Sequence, residues 1–113
     1  MTDKETYSPF ILIDEDFRSL ILSDTHMVSK QHIFHERADE GWEGNGYDWT
    51  SIARVLVAEE LSHLSEDVSF DPEAGMLSAQ GSLDALQELG AAMLSVYNDD
   101  ARIRDLLSRA ELD

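Results

Sequence analysis

The sequence of 113 residues contains no cysteine, and this absence removes a group of chemistries at once. Neither a disulfide framework nor a thiolate metal site can form, and a cysteine nucleophile is excluded. A chain without disulfides suits a reducing compartment, so we expect a cytoplasmic protein. No apolar run is longer than the four residues seen from Phe10 to Ile13, and the N-terminus is polar. We therefore expect neither a membrane span nor a secretion signal.

Basic residues are scarce: 8 Lys and Arg stand against 24 Asp and Glu, which gives a net charge of −16. Nucleic acids and anionic membranes are poor partners for such a chain, because like charges repel over a Debye length of about 10 Å. Acidity of this size can serve solubility alone. The alternative explanation is recognition of a basic partner. The distribution of the acids along the chain distinguishes between these two explanations.

The apolar content of 42%, which includes four Phe, three Tyr and two Trp, predicts a folded chain. Residues 7–13 and 17–22 form a predicted hairpin whose second strand, apolar on both sides, should lie inside a sheet. A polar linker over 23–29 and a further strand over 30–37 are expected next. A second hairpin is predicted around the turn 71–75, with a left-handed backbone at Gly75.

Helical spacing of apolar residues predicts a helix over about 49–61, capped by Asp48 or Thr50. Another helix is expected after a cap at Ser82, and a short final helix follows an interruption at 98–100. The order ββ(β)αββαα predicts an α+β fold. We expect one domain, residues 1–113, in which an antiparallel sheet built from two hairpins is covered on one face by two or three helices.

Catalytic and cofactor motifs find no support in the sequence. No G-x-S-x-G elbow is present, and the glycine-rich stretch lacks the Lys and Ser/Thr of a phosphate loop. His32, His35 and Glu36 form an H-x-x-H-E string that does not match the H-E-x-x-H arrangement of a zinc protease. We expect no catalytic residue, no cofactor and no metal. A third hypothesis, after the two given below, is a hydrolase that uses His35 and nearby carboxylates.

The glycines Gly41, Gly44 and Gly46 predict a loop over residues 36–48, because glycine is favoured where the backbone turns through positive φ. The loop opens an acidic segment, residues 36–73, in which eleven acids and two bases give 2 − 11 = −9. Trp49 is expected in the core by its periodicity, and Trp42 is expected to be an exposed anchor for a partner.

The segment Gly41-Trp42-Glu43-Gly44-Asn45-Gly46-Tyr47-Asp48-Trp49, followed by a helix, is moderately specific. Together with Phe70-Asp71-Pro72-Glu73-Ala74-Gly75-Met76 and Ser78-Ala79, it resembles the immunity protein 51 family of bacterial polymorphic toxin systems. The resemblance covers most of the chain. It implies an antidote that binds a cognate toxin domain and protects the producing cell, and it does not name the toxin.

The leading hypothesis is a non-enzymatic immunity protein that binds a cognate toxin, plausibly a nuclease-type toxin with a basic surface. The alternative is a small-ligand-binding or regulatory domain in which Trp42, Tyr47 and Trp49 line an aromatic pocket. The residues expected to bind the partner are those of the acidic loop: Asp39, Glu40, Trp42, Glu43, Asn45, Tyr47 and Asp48.

Overall fold

A four-stranded antiparallel sheet forms one layer of the protein in the computed structural model, which describes residues 7–14 and 18–112. The strands are β1 (Ile11–Asp14), β2 (Arg18–Ser23), β3 (Ser69–Phe70) and β4 (Met76–Gln80). Their order in the sheet is β1-β2-β4-β3, so β2 pairs with β4 and joins the two hairpins. The predicted α+β fold with a sheet of two hairpins is confirmed, as is the inner position of β2. The predicted first position of that strand, Phe17, lies outside the described residues.

Five α-helices complete the described chain: α1 (Asp24–Met27), α2 (Gln31–His35), α3 (Gly46–Glu60), α4 (Leu83–Tyr97) and α5 (Asp100–Leu107). Each long helix begins at a side-chain cap, which satisfies a backbone N–H that has no partner inside the helix and contributes about 1 kcal/mol. Ser82 accepts from Ala85 N–H at 3.2 Å, as its position in the sequence predicted. Asn45, and neither Asp48 nor Thr50, caps α3.

The core lies between the helices and one face of the sheet. Strand side chains alternate between two faces, and the set that points inward is buried: Leu12, Leu20, Leu22, Leu77 and Ala79. They belong to the same apolar cluster as Trp49 and Leu56 of α3 and Leu86 of α4. Full burial of each Leu side chain contributes roughly 1.5–3 kcal/mol. The sheet is therefore anchored to α3 and α4 through one face.

The predicted strand over residues 30–37 and the predicted linker over 23–29 are both wrong, because this part of the chain is mostly helical. Ile33 and Phe34 are adjacent and both buried, which a strand with one covered face does not allow. Met27, Lys30 and Phe34 instead follow helical spacing, and Lys30 donates to Asp100 at 2.8 Å at the start of α5. Burial against α5 thus stabilises short helices that the sequence pattern only weakly favours.

The left-handed backbone expected at Gly75 is also wrong, although the hairpin itself is confirmed. Among the described glycines, positive φ occurs at Gly41 (105°) and Gly44 (83°). Glu73 and Met76 exchange two backbone hydrogen bonds, so Ala74 and Gly75 alone form the turn. The turn is therefore shorter than the sequence pattern suggested, and it closes without the left-handed residue.

Candidate functional site

The loop between α2 and α3 owes its shape to two left-handed glycines and one buried carboxylate. Asp48 Oδ2 accepts backbone N–H groups of Glu43 and Gly44, each at 2.7 Å. Asn45 Oδ1 in turn accepts the N–H of Asp48 at 3.0 Å. Asp48 is only 4% exposed, so its carboxylate holds the loop and presents no surface to a partner. A hydrogen bond to a charged acceptor contributes about 1.5–3 kcal/mol, so this pair fixes the loop firmly.

Trp42 lies inside the core, where it is 3% exposed, and its expected role as an exposed anchor is wrong. The turns at Gly41 and Gly44 place the indole, which lies between them in sequence, within the main apolar cluster. Burial of so large an apolar ring outweighs any gain from leaving it in solvent. Trp49 is fully buried, as predicted, with ring centroids of Phe34 and Tyr97 at 5.4 and 5.8 Å.

These positions separate the three aromatic side chains that the small-ligand hypothesis placed around one pocket. Trp42 and Trp49 are buried, whereas Tyr47 is 40% exposed. A cleft of about 280 Å³ lies elsewhere, between α3 and the segment after α5, and none of the three lines it. Its lining residues are Ser51, Arg54, Val55, Ala58, Arg109, Glu111 and Leu112.

The loop residues that do reach solvent are Asp39, Glu40, Glu43 and Tyr47. Glu40 is paired with Arg37 at 3.2 Å, which reduces the charge that it offers to a partner. Glu43 accepts from the side-chain amide of the half-buried Asn45 at 3.2 Å. Of the seven residues predicted to bind a partner, four are therefore accessible, one is half-buried and two belong to the interior.

A second acidic segment, absent from the predicted set, lies beside this loop. The turn between β3 and β4 contacts the start of α3, where Gly46 N–H donates to Ala74 O at 2.8 Å. The same turn contacts the start of α1, where Asp24 N–H donates to Gly75 O at 2.9 Å. Three exposed acids are thereby brought to the loop from two other parts of the chain: Asp24, Asp71 and Glu73.

We define the acidic surface as Asp24, Glu43, Asp71 and Glu73, together with the exposed ring of Tyr47. No ion pair between described residues involves any of its four carboxylates. Asp71 and Glu73 fall in the acidic segment that the sequence indicated. Asp24 does not, because only the tertiary contact with Gly75 brings it there.

Three arginines lie instead in α5 or directly after it, where carboxylates balance their charges. Arg109 pairs with Glu59 at 2.7 Å, Arg104 with Glu36 at 2.9 Å, and Arg102 with Glu60. The guanidinium of Arg104 donates hydrogen bonds that lower the pKa of the Glu36 carboxyl. Charge is therefore unevenly distributed: the surface around α5 is a network of ion pairs, and the acidic surface carries net negative charge.

Two other kinds of feature are absent from the described residues. No helix in that part of the chain is long and apolar enough to cross a membrane. Residues 7–14 and 18–112 contain no group of three or more His, Cys, Asp or Glu side chains arranged to hold a metal ion.

Of three comparisons with known proteins, one gives a match. No curated protein and no solved structure matches the chain. The profile of immunity protein 51 matches residues 10–112, which is nearly the whole sequence. The match extends from the strand residues of the first hairpin through the loop and the turn to the segment after α5. The chain therefore belongs to the immunity protein 51 family, as the Gly-Asn-Gly-Tyr-Asp-Trp segment predicted.

Proposed function

We propose that this protein neutralises a cognate toxin domain by binding it through the acidic surface, without catalysing a reaction. Membership of the immunity protein 51 family implies neutralisation of a toxin. The observation that supports this surface is the exposure of four carboxylates that no described cation neutralises, arranged beside an exposed tyrosine. Interfaces combine such charge with aromatic anchors, because the ring supplies rigid area and the charges supply specificity.

The chemistry of this surface favours a toxin with a basic binding face. A net charge of −16 attracts such a partner over distances of about 10 Å and accelerates association. A nuclease-type toxin fits this description, because its phosphate-binding cleft is basic. An acidic protein seated in the cleft excludes the nucleic acid by occupying the same charges. We expect no nuclease, esterase or phosphatase activity from the immunity protein itself.

The seven loop residues then divide into two roles. Glu43 of the acidic surface contacts the toxin together with Asp39 and Glu40 of the same loop, and Tyr47 takes the anchoring role that the sequence suggested for Trp42. Trp42, Asn45 and Asp48 hold the loop in shape and act on binding only through that shape. Asp24, Asp71 and Glu73 extend the contact beyond the loop.

Association kinetics with the cognate toxin test how much the charges of the acidic surface contribute to binding. We expect the gene adjacent to that of the immunity protein to encode this toxin. One triple variant, Asp24→Asn with Glu43→Gln and Glu73→Gln, removes three charges from the acidic surface. The matched control removes three exposed carboxylates elsewhere: Glu66→Gln, Glu88→Gln and Glu111→Gln. We expect the first variant to slow association at least tenfold at low salt and the control to slow it much less, because steering depends on local potential.

The same comparison decides against the proposal if the two triple variants behave alike. Equal slowing would mean that only net charge matters, and no slowing in either would mean that the toxin binds without electrostatic steering. The difference between them should also shrink as salt is raised, because screening removes the local field.

The anchor is tested by dissociation of the same complex. Tyr47→Ala should accelerate dissociation by roughly thirtyfold, which corresponds to about 2 kcal/mol for an interface hot spot. Val28→Ala is the control, since Val28 is 62% exposed and lies on the helical turn that follows α1. If Tyr47→Ala folds and dissociates like the control, the ring is not an anchor.

A further inference from the structure

The cleft between α3 and the segment after α5 continues the surface on which Tyr47 is exposed. One face of α3 carries residues spaced at i, i+4, i+7, i+8 and i+11: Tyr47, Ser51, Arg54, Val55 and Ala58. All of them except Tyr47 line the cleft. Ser51 lies about 6 Å along the helix from Tyr47, at 1.5 Å per residue, and its hydroxyl donates to Tyr47 O at 3.2 Å. The cleft therefore begins one helical turn from the exposed ring.

The opposite wall of the cleft lies against the loop between α2 and α3. Leu112 forms part of this wall and is 50% exposed. A Cβ atom at Gly41 would lie 3.0 Å from Leu112 Cδ1, so the leucine side chain packs beside the left-handed turn of the loop. A partner that contacts Tyr47 and the loop therefore also meets the cleft.

Arg109 lines the cleft with a guanidinium whose hydrogen-bond donors are all in use. Its Nε–H and one Nη2–H donate to the two carboxylate oxygens of Glu59 at 2.7 and 2.8 Å. The other N–H groups donate to Asp105, at 2.8 and 3.1 Å to the carboxylate and at 3.0 Å to the backbone oxygen. These bonds account for all five N–H donors of a guanidinium. The side chain is still 40% exposed, so Arg109 offers a ligand its planar face and its aliphatic stem.

The electrostatics of the cleft disfavour an anionic ligand. Arg109 has no donor left for a carboxylate or a phosphate, and the carboxylate of Glu111 also lines the cleft. The guanidinium carbon of Arg54 lies 5.8 Å from the ring centroid of Phe70, within the range of a cation–π contact. The chain thus already pairs one cleft arginine with an aromatic ring. The face of Arg109 suits a second ring, because guanidinium groups stack on aromatic faces.

We propose that the cleft receives one aromatic side chain of the toxin, which stacks on the guanidinium of Arg109 and packs against Val55, Ala58 and Leu112. The inference rests on the proposed function, because it gives the same partner a second anchoring point. The cleft volume of about 280 Å³ is just below the roughly 300–1,000 Å³ of pockets that enclose drug-sized molecules, so a single side chain fits it better. Aromatic anchors that fill such pockets dominate the energetics of protein interfaces.

Both anchoring points fit within one interface. Tyr47 and Ala58 are about 16 Å apart along α3, at 1.5 Å per residue. An interface of standard size buries about 800 Å² on each partner, which corresponds to a disc roughly 32 Å across. One toxin surface can therefore contact the Tyr47 ring and fill the cleft at the same time.

The test fills the cleft from within the chain. Ala58 is exposed on the cleft wall, so Ala58→Trp can place its own indole where the toxin ring would bind. Ala91→Trp is the matched control, because Ala91 is exposed on α4 and does not line the cleft. We expect Ala58→Trp to accelerate dissociation of the toxin complex about tenfold or more, and the control to stay within about twofold of the parent. Thermal unfolding of both variants shows whether they fold.

A second measurement uses the free protein and needs no toxin. Millimolar N-acetyl-tyrosinamide, added to the full chain, should shift the NMR signal of the Arg109 Nε–H upfield, because a stacked ring shields the group above it. N-acetyl-leucinamide and acetate should leave this signal unchanged. In Ala58→Trp the signal should no longer respond, because the cleft is already filled.

Each outcome decides the inference. Equal dissociation of folded Ala58→Trp and Ala91→Trp overturns it, as does an Arg109 signal that responds to acetate and not to the tyrosine amide. A signal that responds to the tyrosine amide, together with unchanged toxin dissociation, would assign the cleft to a small molecule and also overturn the toxin contact. If Ala58→Trp does not fold, Leu112→Ala makes the same test by removing one wall, with Val28→Ala as its control.

The proposed function fails by a different measurement. The triple variant at Asp24, Glu43 and Glu73 acts on association, and none of these residues lines the cleft. If that variant associates like its control while Ala58→Trp still accelerates dissociation, the acidic surface is wrong and the cleft remains. A chain that does not bind the toxin at all overturns both.

Discussion

The close contact between Gly46 and the turn of the second hairpin supports a prediction about stability. A Cβ atom at Gly46 would lie 2.5 Å from the carbonyl oxygen of Met76 and nearer still to that of Glu73. Ordinary contacts begin at about 3.4 Å, so the backbone of the turn would have to move by about 1 Å or more. Both obstacles are main-chain atoms, which cannot rotate away as a side chain can. Gly46→Ala should therefore separate α3 from the turn.

The magnitude follows from the contacts that are lost. Overpacking of this kind costs about 1–3 kcal/mol, and loss of the hydrogen bond from Gly46 N–H to Ala74 O adds about 1 kcal/mol. The higher helix propensity of alanine offsets about 0.5–1 kcal/mol. We expect a net loss of about 1–3.5 kcal/mol in the free energy of unfolding. For a chain of this length that corresponds to a melting temperature lower by roughly 4–18 °C.

The assay is thermal and urea unfolding followed by circular dichroism, with Gly75→Ala as the matched control. A Cβ at Gly75 meets its nearest atom, Asp24 Oδ2, at 3.6 Å, which is an ordinary contact. That variant should unfold within about 0.5 kcal/mol of the parent. The reasoning is refuted if Gly46→Ala melts like the parent, or if the two variants lose equal stability.

Two further predictions concern the carboxylates. Asp48→Ala should lower the free energy of unfolding by about 3–5 kcal/mol in urea titrations, because the buried N–H of Gly44 and the part-buried N–H of Glu43 lose a charged acceptor. Glu43→Ala, at an exposed position, should change it by less than about 1 kcal/mol, and equal effects would contradict the structural role of Asp48. Arg104 lowers the pKa of Glu36 below its ordinary 4.5, so this pair contributes stability above that pH and loses it as pH falls through the lowered pKa. Glu36→Gln should therefore lose less stability than the parent as the pH falls below 4.5, and an unchanged pH dependence would show that the pair is not linked to folding.

Much of the fold was predictable from local pattern, because the elements that carry it have strong periodicity. Leu86, Gly90 and Met93 mark the buried stripe of α4, and Ser82 marks its start. The strands alternate clearly enough for both hairpins to be placed. The short helices α1 and α2 were missed because their stability comes from packing against distant parts of the chain, such as the contact of Lys30 with Asp100.

The candidate site was less predictable, because exposure and proximity are tertiary properties. The sequence pattern indicated an acidic, aromatic loop but not which of its side chains face inward. Trp42 and Asp48 have the residue types of an interface, yet core burial and loop closure use both. Asp24 reaches the acidic surface only because β2 pairs with β4, which brings Gly75 beside the end of β2. No local signal in residues 23–29 contains that information.

The pinned loop between α2 and α3 has a consequence for how specificity can diversify. Its shape depends on Gly41, Gly44 and the buried Asp48, whereas the exposed Asp39 and Tyr47 side chains form no hydrogen bond or ion pair with another described residue. Substitution of the exposed residues therefore leaves the fold almost unchanged, while it alters the surface that the loop offers for contact with a partner. Because the backbone is already ordered, binding also costs little conformational entropy. If the loop contacts a toxin as proposed, surface substitutions alone would change which toxin it recognises, because the interior residues keep the frame that presents them.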